Sequence, residues 1–161
     1  MKTYELNIRV NEYSDKNELT AIEQELLTKA EQATQTSYAP YSNFSVGAAV
    51  LLDNGEIVSG SNQENSASPS GLCAERVAMF YANAKYPNVA IKAIAISSAI
   101  AGKLNDSPIY PCGACRQALL ENEQRYSTPI RVIMGGTKRI QAVESIKDIL
   151  PLSFALNDYQ K

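Results

Sequence analysis

Between residues 73 and 134 the chain alternates helical and strand patterns, and this alternation restricts the fold more than any other feature. Helices are predicted over residues 73–85 and 113–125. Buried strands are predicted over 91–97 and 130–134, because both runs are apolar and rich in β-branched residues. The alternation requires parallel crossover connections, which place helices on both faces of one sheet.

The preceding segment contains a hairpin signal. Asn54 and Gly55 separate two runs of strand character, at residues 44–52 and 55–60. Asn-Gly favours a tight turn in which both central residues take positive φ. An antiparallel pair is therefore predicted beside the parallel part of the sheet.

An amphipathic helix is predicted over residues 18–36, because apolar residues recur there at steps of three and four. Thr20 and Glu23 have capping-box spacing, and Asp15 offers an alternative start. Pro40 must end the helix. A last short helix is predicted over residues 143–150.

The first fifteen residues predict an added strand. Tyr4, Leu6, Ile8 and Val10 alternate with polar residues, which is the period of a half-buried strand at a sheet edge. The expected fold is thus an α/β, three-layer α/β/α sandwich. Its sheet is mixed and mostly five-stranded, with an extra N-terminal edge strand.

Length and charge limit the organisation and the partners. The chain has 161 residues, so one domain covering 1–161 is expected. The formal charge of −2 gives no basic footprint for nucleic acid or an anionic membrane. The first residues lack a signal-peptide pattern and no run is apolar enough to cross a membrane, so a cytoplasmic protein is expected.

The chain contains no histidine. This excludes Ser-His-Asp triads, Cys-His dyads and metal sites that need imidazole. Acid–base chemistry near neutral pH would then depend on a tuned carboxylate, a metal-bound water or a thiol. Three cysteines, an odd number, do not suggest a disulfide framework.

All three cysteines lie at predicted helix starts: Cys73 at one, Cys112 and Cys115 at the other. Helix N-termini stabilise thiolates, and zinc accepts sulfur ligands. Three ligands leave the fourth position to water, which is the catalytic arrangement. A Cys112–Cys115 redox pair and a structural zinc with a fourth protein ligand are the alternatives.

Two charged residues near Cys73 complete the candidate centre. Glu75 can accept a proton from a metal-bound water and pass it on. Three thiolates and Zn²⁺ sum to −1, which opposes ionisation of that water. Arg76 is therefore expected to offset the thiolate charge, with Arg116 as the alternative.

At these residues the sequence resembles the zinc-dependent cytidine deaminase family. The pieces are Cys73-Ala74-Glu75 and Pro111-Cys112-Gly113-Ala114-Cys115-Arg116-Gln117. Residues 38–49, Tyr-Ala-Pro-Tyr-Ser-Asn-Phe-Ser-Val-Gly-Ala-Ala, match the family's first-strand signature, and Asn-Gln-Glu-Asn at 62–65 matches its ribose-binding segment. The resemblance spans about 20–155 and is closest to the short, homotetrameric nucleoside deaminases.

The resemblance implies a role for each matched position. Cys73, Cys112 and Cys115 would bind one zinc ion per chain, with Glu75 as the proton shuttle and Arg76 as the neutralising arginine. The expected substrate contacts are Phe44 against the pyrimidine ring, and Asn62 and Glu64 on the ribose hydroxyls. Phe154 resembles a C-terminal aromatic that reaches a neighbouring subunit's site. Ser68 departs from the family, where many relatives carry tyrosine.

The function implied is hydrolytic deamination of cytidine and 2′-deoxycytidine to uridine and 2′-deoxyuridine, in pyrimidine salvage. Water activated by zinc would attack C4 while Glu75 moves protons to N3 and to the departing amino group. The alternative substrate is another small cytosine-containing molecule such as blasticidin S. A polynucleotide substrate is not expected, because the chain is acidic and has no basic stripe.

Overall fold

Seven strands form one mixed sheet in the computed structural model, which describes residues 1–155. The strands of this range are β1 (Asn11–Tyr13), β2 (Phe44–Leu52), β3 (Ile57–Ser61), β4 (Ile91–Ile100), β5 (Lys103–Leu104), β6 (Arg131–Gly135) and β7 (Ile140–Val143). The α-helices are α1 (Ala21–Ala33), α2 (Ala74–Lys85) and α3 (Gly113–Tyr126). Short 3-10 helices occupy Lys16–Glu18, Thr34–Thr36, Ser68–Ser70 and Ile146–Ile149.

The strand order is β1-β7-β6-β4-β2-β3, and the two-residue β5 pairs with β4. β4 and β6 are parallel and are joined through α3, as the alternating pattern predicts. The other pairs are antiparallel, including β2 with both β3 and β4. The mixed sheet of the prediction is therefore confirmed, with β1 at one edge.

Helices cover both faces of the sheet. On one face α2 and α3 pack through buried residues such as Ala78 and Leu119. On the other face α1 packs through Leu26, Leu27 and Ala30. The three-layer α/β/α arrangement is confirmed. Within the described range, no helix combines the length and apolar character that crossing a membrane requires.

The N-terminal strand lies within the expected first fifteen residues, but its predicted position is wrong. Tyr4 to Val10 are outside any strand, and only Asn11–Tyr13 pair with β7. The reason is the shortness of β7, which ends at Val143 and so offers few partners. Arg131 fixes this edge by donating a hydrogen bond to the Tyr13 hydroxyl at 2.9 Å.

The β2–β3 hairpin is confirmed, but the predicted turn geometry is wrong. Gly55 has a φ of +85°, whereas Asn54 is not in the left-handed region. Gly55 N–H donates to Leu52 O at 3.0 Å, and the Asn54 side chain accepts from Glu56 N–H at 3.1 Å. The Asn54 side chain therefore supports a wider turn that needs positive φ only at the glycine.

The start of α1 follows the predicted capping box. Glu23 accepts from the backbone N–H of Thr20 at 2.9 Å and from Nε of Arg131 at 2.6 Å. Burial opposes ionisation, but hydrogen bonds from Thr20 and the charge of Arg131 outweigh it and lower the pKa of Glu23. Asp15 caps the 3-10 helix over Lys16–Glu18 instead, so it is not the start of α1.

The predicted helix over residues 143–150 is only partly present. Val143 ends β7, and a 3-10 helix occupies Ile146–Ile149 with Ser145 as its cap. The difference arises because β7 lies between β6 and β1 and hydrogen-bonds to both. These pairings involve residues far apart in the chain, which local periodicity does not reveal.

Two glycines set the distance between the helices and the sheet. A Cβ at Gly47 would lie 2.1 Å from Ala30 O, and one at Gly60 would lie 2.5 Å from Ala78 N. No side chain fits at either position, so β2 lies directly against α1 and β3 directly against α2. The second contact fixes α2, whose first turn contributes to the candidate site.

Candidate metal centre and active-site cleft

The three cysteine sulfur atoms meet where α2 and α3 begin. Cys73 is the N-cap residue of α2, Cys112 is the N-cap residue of α3, and Cys115 lies buried in the first turn of α3. The Cys73 and Cys112 Sγ atoms are 3.8 Å apart, and those of Cys112 and Cys115 are 3.5 Å apart. The structure thus brings the predicted set together.

These separations fit a zinc ion. Tetrahedral Zn–S bonds of about 2.3 Å place sulfur atoms about 3.8 Å apart. All three sulfur atoms lie within 4.8 Å of one another, and over residues 1–155 the group has three members. The donor set is therefore suited to zinc, with one position left for a non-protein ligand. A simple Cys112–Cys115 redox pair would not explain why Cys73 completes the group.

The charge on the sulfur atoms is unevenly distributed. A hydrogen bond from the Cys115 thiol, followed by those from Arg76 and Cys112, lowers the pKa of Cys73 to about 5 against the opposing effect of burial. The same hydrogen bond to Cys73, together with burial, raises the pKa of Cys115. The two shifts favour the ionised form at Cys73 and the protonated form at Cys115, and metal binding requires every sulfur ligand to be a thiolate.

Arg76, rather than Arg116, contacts the sulfur atoms. Arg76 Nη2 lies 3.9 Å from Cys73 Sγ, and its buried Nε has no hydrogen-bond partner among the described residues. Arg116 instead donates to the carbonyl oxygens of Pro111 at 2.8 Å and Ile149 at 2.7 Å. Of the two arginines, Arg76 is thus the one placed beside a sulfur atom, and its role in offsetting the thiolate charge stays a prediction.

Glu75 is a buried carboxyl beside the thiolates. It lies in the first turn of α2, and only 4% of its surface is exposed. Burial raises the pKa of Glu75, and the negative charge of Cys73 raises it further. A carboxyl whose pKa is raised in this way holds a proton more readily than an exposed glutamate does, which suits a group that must both accept and release one.

A cleft of about 560 Å³ opens beside Cys73 and Arg76. Its wall is built by backbone pairing: Gln63 exchanges two hydrogen bonds of 2.9 Å with Leu72, and Tyr38 N–H donates to Asn62 O at 3.0 Å. The lining residues are Tyr41, Asn62, Gln63, Glu64, Asn65, Ser66, Ser68, Gly71, Leu72, Cys73 and Arg76. The cleft thus joins Cys73 and Arg76 to the predicted ribose-binding segment, whereas Glu75, Cys112 and Cys115 are not among its lining residues.

Asn62 and Glu64 also hold the opposite wall of the cleft. The Asn62 side chain donates to Phe44 O at 2.9 Å and accepts from Val46 N–H at 2.8 Å. Glu64 Oε2 accepts from Tyr41 N–H at 2.8 Å, and hydrogen bonds from Ser42 and Tyr41 lower the pKa of Glu64. Both side chains therefore fix the backbone that leads into β2.

The other predicted contacts lie at the margins. Phe44 begins β2 and is partly exposed, but among the described residues it is not part of the cleft lining. The Phe154 side chain is 63% exposed, and its backbone oxygen accepts from Gln117 Nε2 at 3.1 Å on this chain's own α3. The predicted contact of Phe154 with a second subunit stays a prediction.

Tyr41 and Ser66 line the cleft although neither residue is singled out by sequence reasoning. Tyr41 lies in the matched motif at 38–49, so that motif was the available signal. Ser66 lies in a bend, and Ser68 opens the adjoining 3-10 helix. Ser66 has no periodic or motif-based signature, whereas Ser68 is the position at which the sequence departs from the family, and the structure places both in the cleft lining.

A model of the cytidine and deoxycytidylate deaminase zinc-binding region matches residues 20–127 of this chain. The matched range contains both helix starts, the three cysteines and Glu75. The chain belongs to the cytidine and deoxycytidylate deaminase family. It is accordingly an enzyme, a hydrolase of the cytidine deaminase type, with zinc as its cofactor.

Relatives of this family resemble the chain over most of its length. A cytidine deaminase from Halalkalibacterium halodurans is 34% identical over 137 residues, which cover 84% of this chain and 96% of the relative. One from Mycobacterium tuberculosis is 36% identical over 140 residues, covering 80% and 86%. These names do not favour the blasticidin S alternative.

Solved structures share the fold. The crystal structure of cytidine deaminase from Burkholderia pseudomallei superposes with a TM-score of 0.70 at 34% identity, covering 81% of this chain and 97% of that one. That of the Mycobacterium tuberculosis enzyme gives a TM-score of 0.65 at 32% identity, covering 83% and 97%. The α/β architecture is therefore the one found in cytidine deaminases.

Proposed function

We propose that this enzyme converts cytidine and 2′-deoxycytidine to uridine and 2′-deoxyuridine, with the release of ammonia. The observation that carries the proposal is the cluster of three cysteine sulfur atoms beside the buried carboxyl of Glu75, with one of the three, Cys73, lining an open cleft. The names of the relatives support a cytosine nucleoside as substrate. A neutral nucleoside also suits a cleft without a basic stripe.

Zinc held by Cys73, Cys112 and Cys115 would supply Lewis-acid activation of water at neutral pH. Glu75 accepts the proton of the attacking water and delivers it to N3 of the pyrimidine, which makes C4 electrophilic. It then transfers the second proton to the exocyclic amino group, and the C4–N bond breaks as ammonia leaves. Burial of Glu75 suits it to both directions of transfer, because its raised pKa weakens its preference for the ionised form.

Arg76 balances the charge of the centre. Three thiolates and one divalent cation carry a net charge of −1, which disfavours formation of a further negative charge. The guanidinium 3.9 Å from Cys73 Sγ donates toward that sulfur and withdraws part of its charge. We assign Arg76 to this role rather than to direct contact with the substrate.

Asn62 and Glu64 would bind the sugar. Glu64 Oε2 accepts from the backbone of Tyr41, and the several acceptor positions of a carboxylate leave it able to accept a hydrogen bond from a ribose hydroxyl as well. The Asn62 amide would add a donor beside it. Because Glu64 holds the segment before Phe44 and Asn62 holds the Phe44 backbone itself, they would set the position of that ring against the pyrimidine.

The remaining assignments follow the family resemblance. The chain acts as a single domain over 1–161, works in the cytoplasm in pyrimidine salvage, and assembles as a homotetramer in which Phe154 reaches a neighbouring site. The large exposed fraction of Phe154, at 63%, is consistent with a second chain covering it.

The direct test is the fall in ultraviolet absorbance as cytidine becomes uridine, measured with protein of known zinc content. Cytidine, 2′-deoxycytidine, cytidine monophosphate and blasticidin S are compared at equal concentration. The two nucleosides should be the best substrates by kcat/KM. Preference for blasticidin S or the nucleotide, or no turnover by zinc-loaded protein, would contradict the proposal.

A further inference from the structure

The proposed function leaves one exposed segment without a role, namely the N-terminal arm, defined here as residues 1–10. Every residue of the arm is exposed, and none belongs to a helix or strand. Its four alternating apolar side chains, Tyr4, Leu6, Ile8 and Val10, are exposed by 81%, 62%, 47% and 48%. Such a row is costly in water, so it indicates a surface that another chain covers.

The arm leads directly into an open sheet edge. β1 pairs with β7 on one side, with Asn11 opposite Ala142, and over residues 1–155 no strand pairs with its other side. Continuing this register places Val10 opposite Val143, where β7 ends. The arm therefore extends past its own sheet, with strand periodicity but no strand partner within the described range.

The arm sequence is complementary to itself in one antiparallel register. When Asn7 faces Asn7 of a second copy, Glu5 lies opposite Arg9, and the symmetry repeats this ion pair. The same register places Tyr4 opposite Val10 and Leu6 opposite Ile8. Pairs of opposite charge and pairs of apolar side chains are those that stabilise neighbouring strands.

Other registers lose this complementarity. A shift of one residue in the pairing puts apolar side chains opposite polar ones. A shift of two residues moves Glu5 away from Arg9, to face Asn7 or Asn11. The charges therefore select a single register in addition to favouring the pairing.

We propose that the N-terminal arm is a self-association strand, which pairs antiparallel with the arm of a second copy of this chain about a two-fold axis at Asn7. The contact is isologous, because the same residues face each other from both sides. It places the two apolar rows side by side, so that each shields part of the other, and it lengthens β1; it is a different surface from the catalytic cleft.

Disulfide trapping tests the register. The variant Asn7→Cys places two thiols directly opposite each other at a strand-pair distance of about 4.5–5.5 Å between Cβ atoms. In Thr3→Cys, the matched control, the two thiols would lie roughly 26 Å apart along the paired strands. Both zinc-loaded variants are exposed to oxidised glutathione at micromolar concentration, and covalent dimers are quantified on non-reducing gels beside the unmodified protein.

Asn7→Cys should form the covalent dimer at least about fivefold faster than Thr3→Cys. Equal rates, or no dimer from Asn7→Cys, would overturn the proposal. Alkylation of the monomeric Asn7→Cys thiol then identifies the alternative: slow alkylation would mean that the arm docks on its own chain, and fast alkylation that the arm stays uncovered in the purified protein.

A charge exchange tests the pairing chemistry. In the Asn7→Cys background, Glu5→Arg places an arginine at position 5 opposite Arg9 of the second copy, and the two-fold symmetry repeats this like-charge pair. The repulsion should slow dimer formation about tenfold. Adding Arg9→Glu restores opposite charges and should restore the rate. Glu25→Arg, an exposed change on α1, is the control and should have no effect. Failure of the double exchange to recover the rate would refute the ion pair and the register.

Discussion

Replacing Glu75 with glutamine separates proton transfer from metal binding. The glutamine side chain would keep the size and hydrogen-bonding capacity of the glutamate but cannot carry a proton between water and substrate. Glu75 is outside the cluster of sulfur ligands, so the variant should still bind one zinc ion per chain. The variant is therefore expected to keep its zinc content while its turnover falls.

The expected loss follows from the number of proton transfers and from burial. One positioned proton-transfer group contributes about 10²–10⁴-fold. Glu75 serves two transfers in each turnover, and with 4% of its surface exposed it leaves little access for bulk water to replace it. We expect kcat to fall by at least about 10³-fold, which corresponds to about 4 kcal/mol in the barrier.

The assay combines zinc analysis with the cytidine absorbance assay. Glu123→Gln is the matched control, because Glu123 is buried to a similar extent but lies outside the site. Its carboxylate accepts from Ile130 N–H at 2.8 Å and from Ile146 N–H at 3.0 Å, and so holds the 3-10 helix at Ile146–Ile149. The control should lower the melting temperature and keep turnover per folded molecule. A zinc-loaded Glu75→Gln variant with near-normal kcat would refute the assigned role.

Three further predictions follow from the packing and the charges. Gly47→Ala should lower the free energy of unfolding by more than about 2 kcal/mol in chemical denaturation, because the new Cβ would lie 2.1 Å from a backbone oxygen of α1. The control is Gly113→Ala, whose Cβ would meet open space and should be neutral or slightly stabilising. The fold lowers the pKa of Glu23, so the stabilisation that its carboxylate gives is present above the ordinary pKa of 4.5 and is lost as pH falls through the folded value. The difference in free energy of unfolding between the native protein and Glu23→Gln should therefore become smaller in acid. A difference that does not change with pH would contradict this. Arg76→Gln should slow turnover about tenfold or more at full zinc occupancy and change the pH dependence of turnover. Arg116→Gln, the control, should mainly lower the melting temperature. An unchanged rate and pH dependence for Arg76→Gln would rule out charge compensation.

The sequence predicted the centre well because its residues are close together in the chain. Cys112 and Cys115 share one helix start, and Cys73, Glu75 and Arg76 share another. A helix start fixes the direction of its first side chains, so only the meeting of two such starts had to come from the fold. That meeting was predicted from the three thiols at two helix starts, and the sulfur separations agree with it.

The sheet edge was predicted less well because it depends on distant residues. β1 and β7 pair although about 130 residues separate them, and neither has a long periodic run. The apolar alternation from Tyr4 to Val10 is a stronger local signal than Asn11–Tyr13, yet it has no strand partner within the described part of its own chain. Local periodicity reports what a segment can form, and pairing depends on what lies beside it.

The double use of Asn62 and Glu64 was also outside the reach of sequence. The family resemblance implied contacts with a diol, and the structure adds that Glu64 holds the backbone at Tyr41 while Asn62 holds the first residues of β2. These bonds depend on the segment at 41–46 lying beside the segment at 62–64. A motif names the residue type and cannot show how many partners each side chain serves.

X-ray absorption at the zinc K-edge on the purified enzyme tests the central claim most directly, because it counts the ligands without any activity measurement. We predict three sulfur atoms at about 2.3 Å and one lighter oxygen ligand around a single zinc ion per chain. Four protein ligands around the ion, or a Cys112–Cys115 disulfide with no bound metal, would contradict the account.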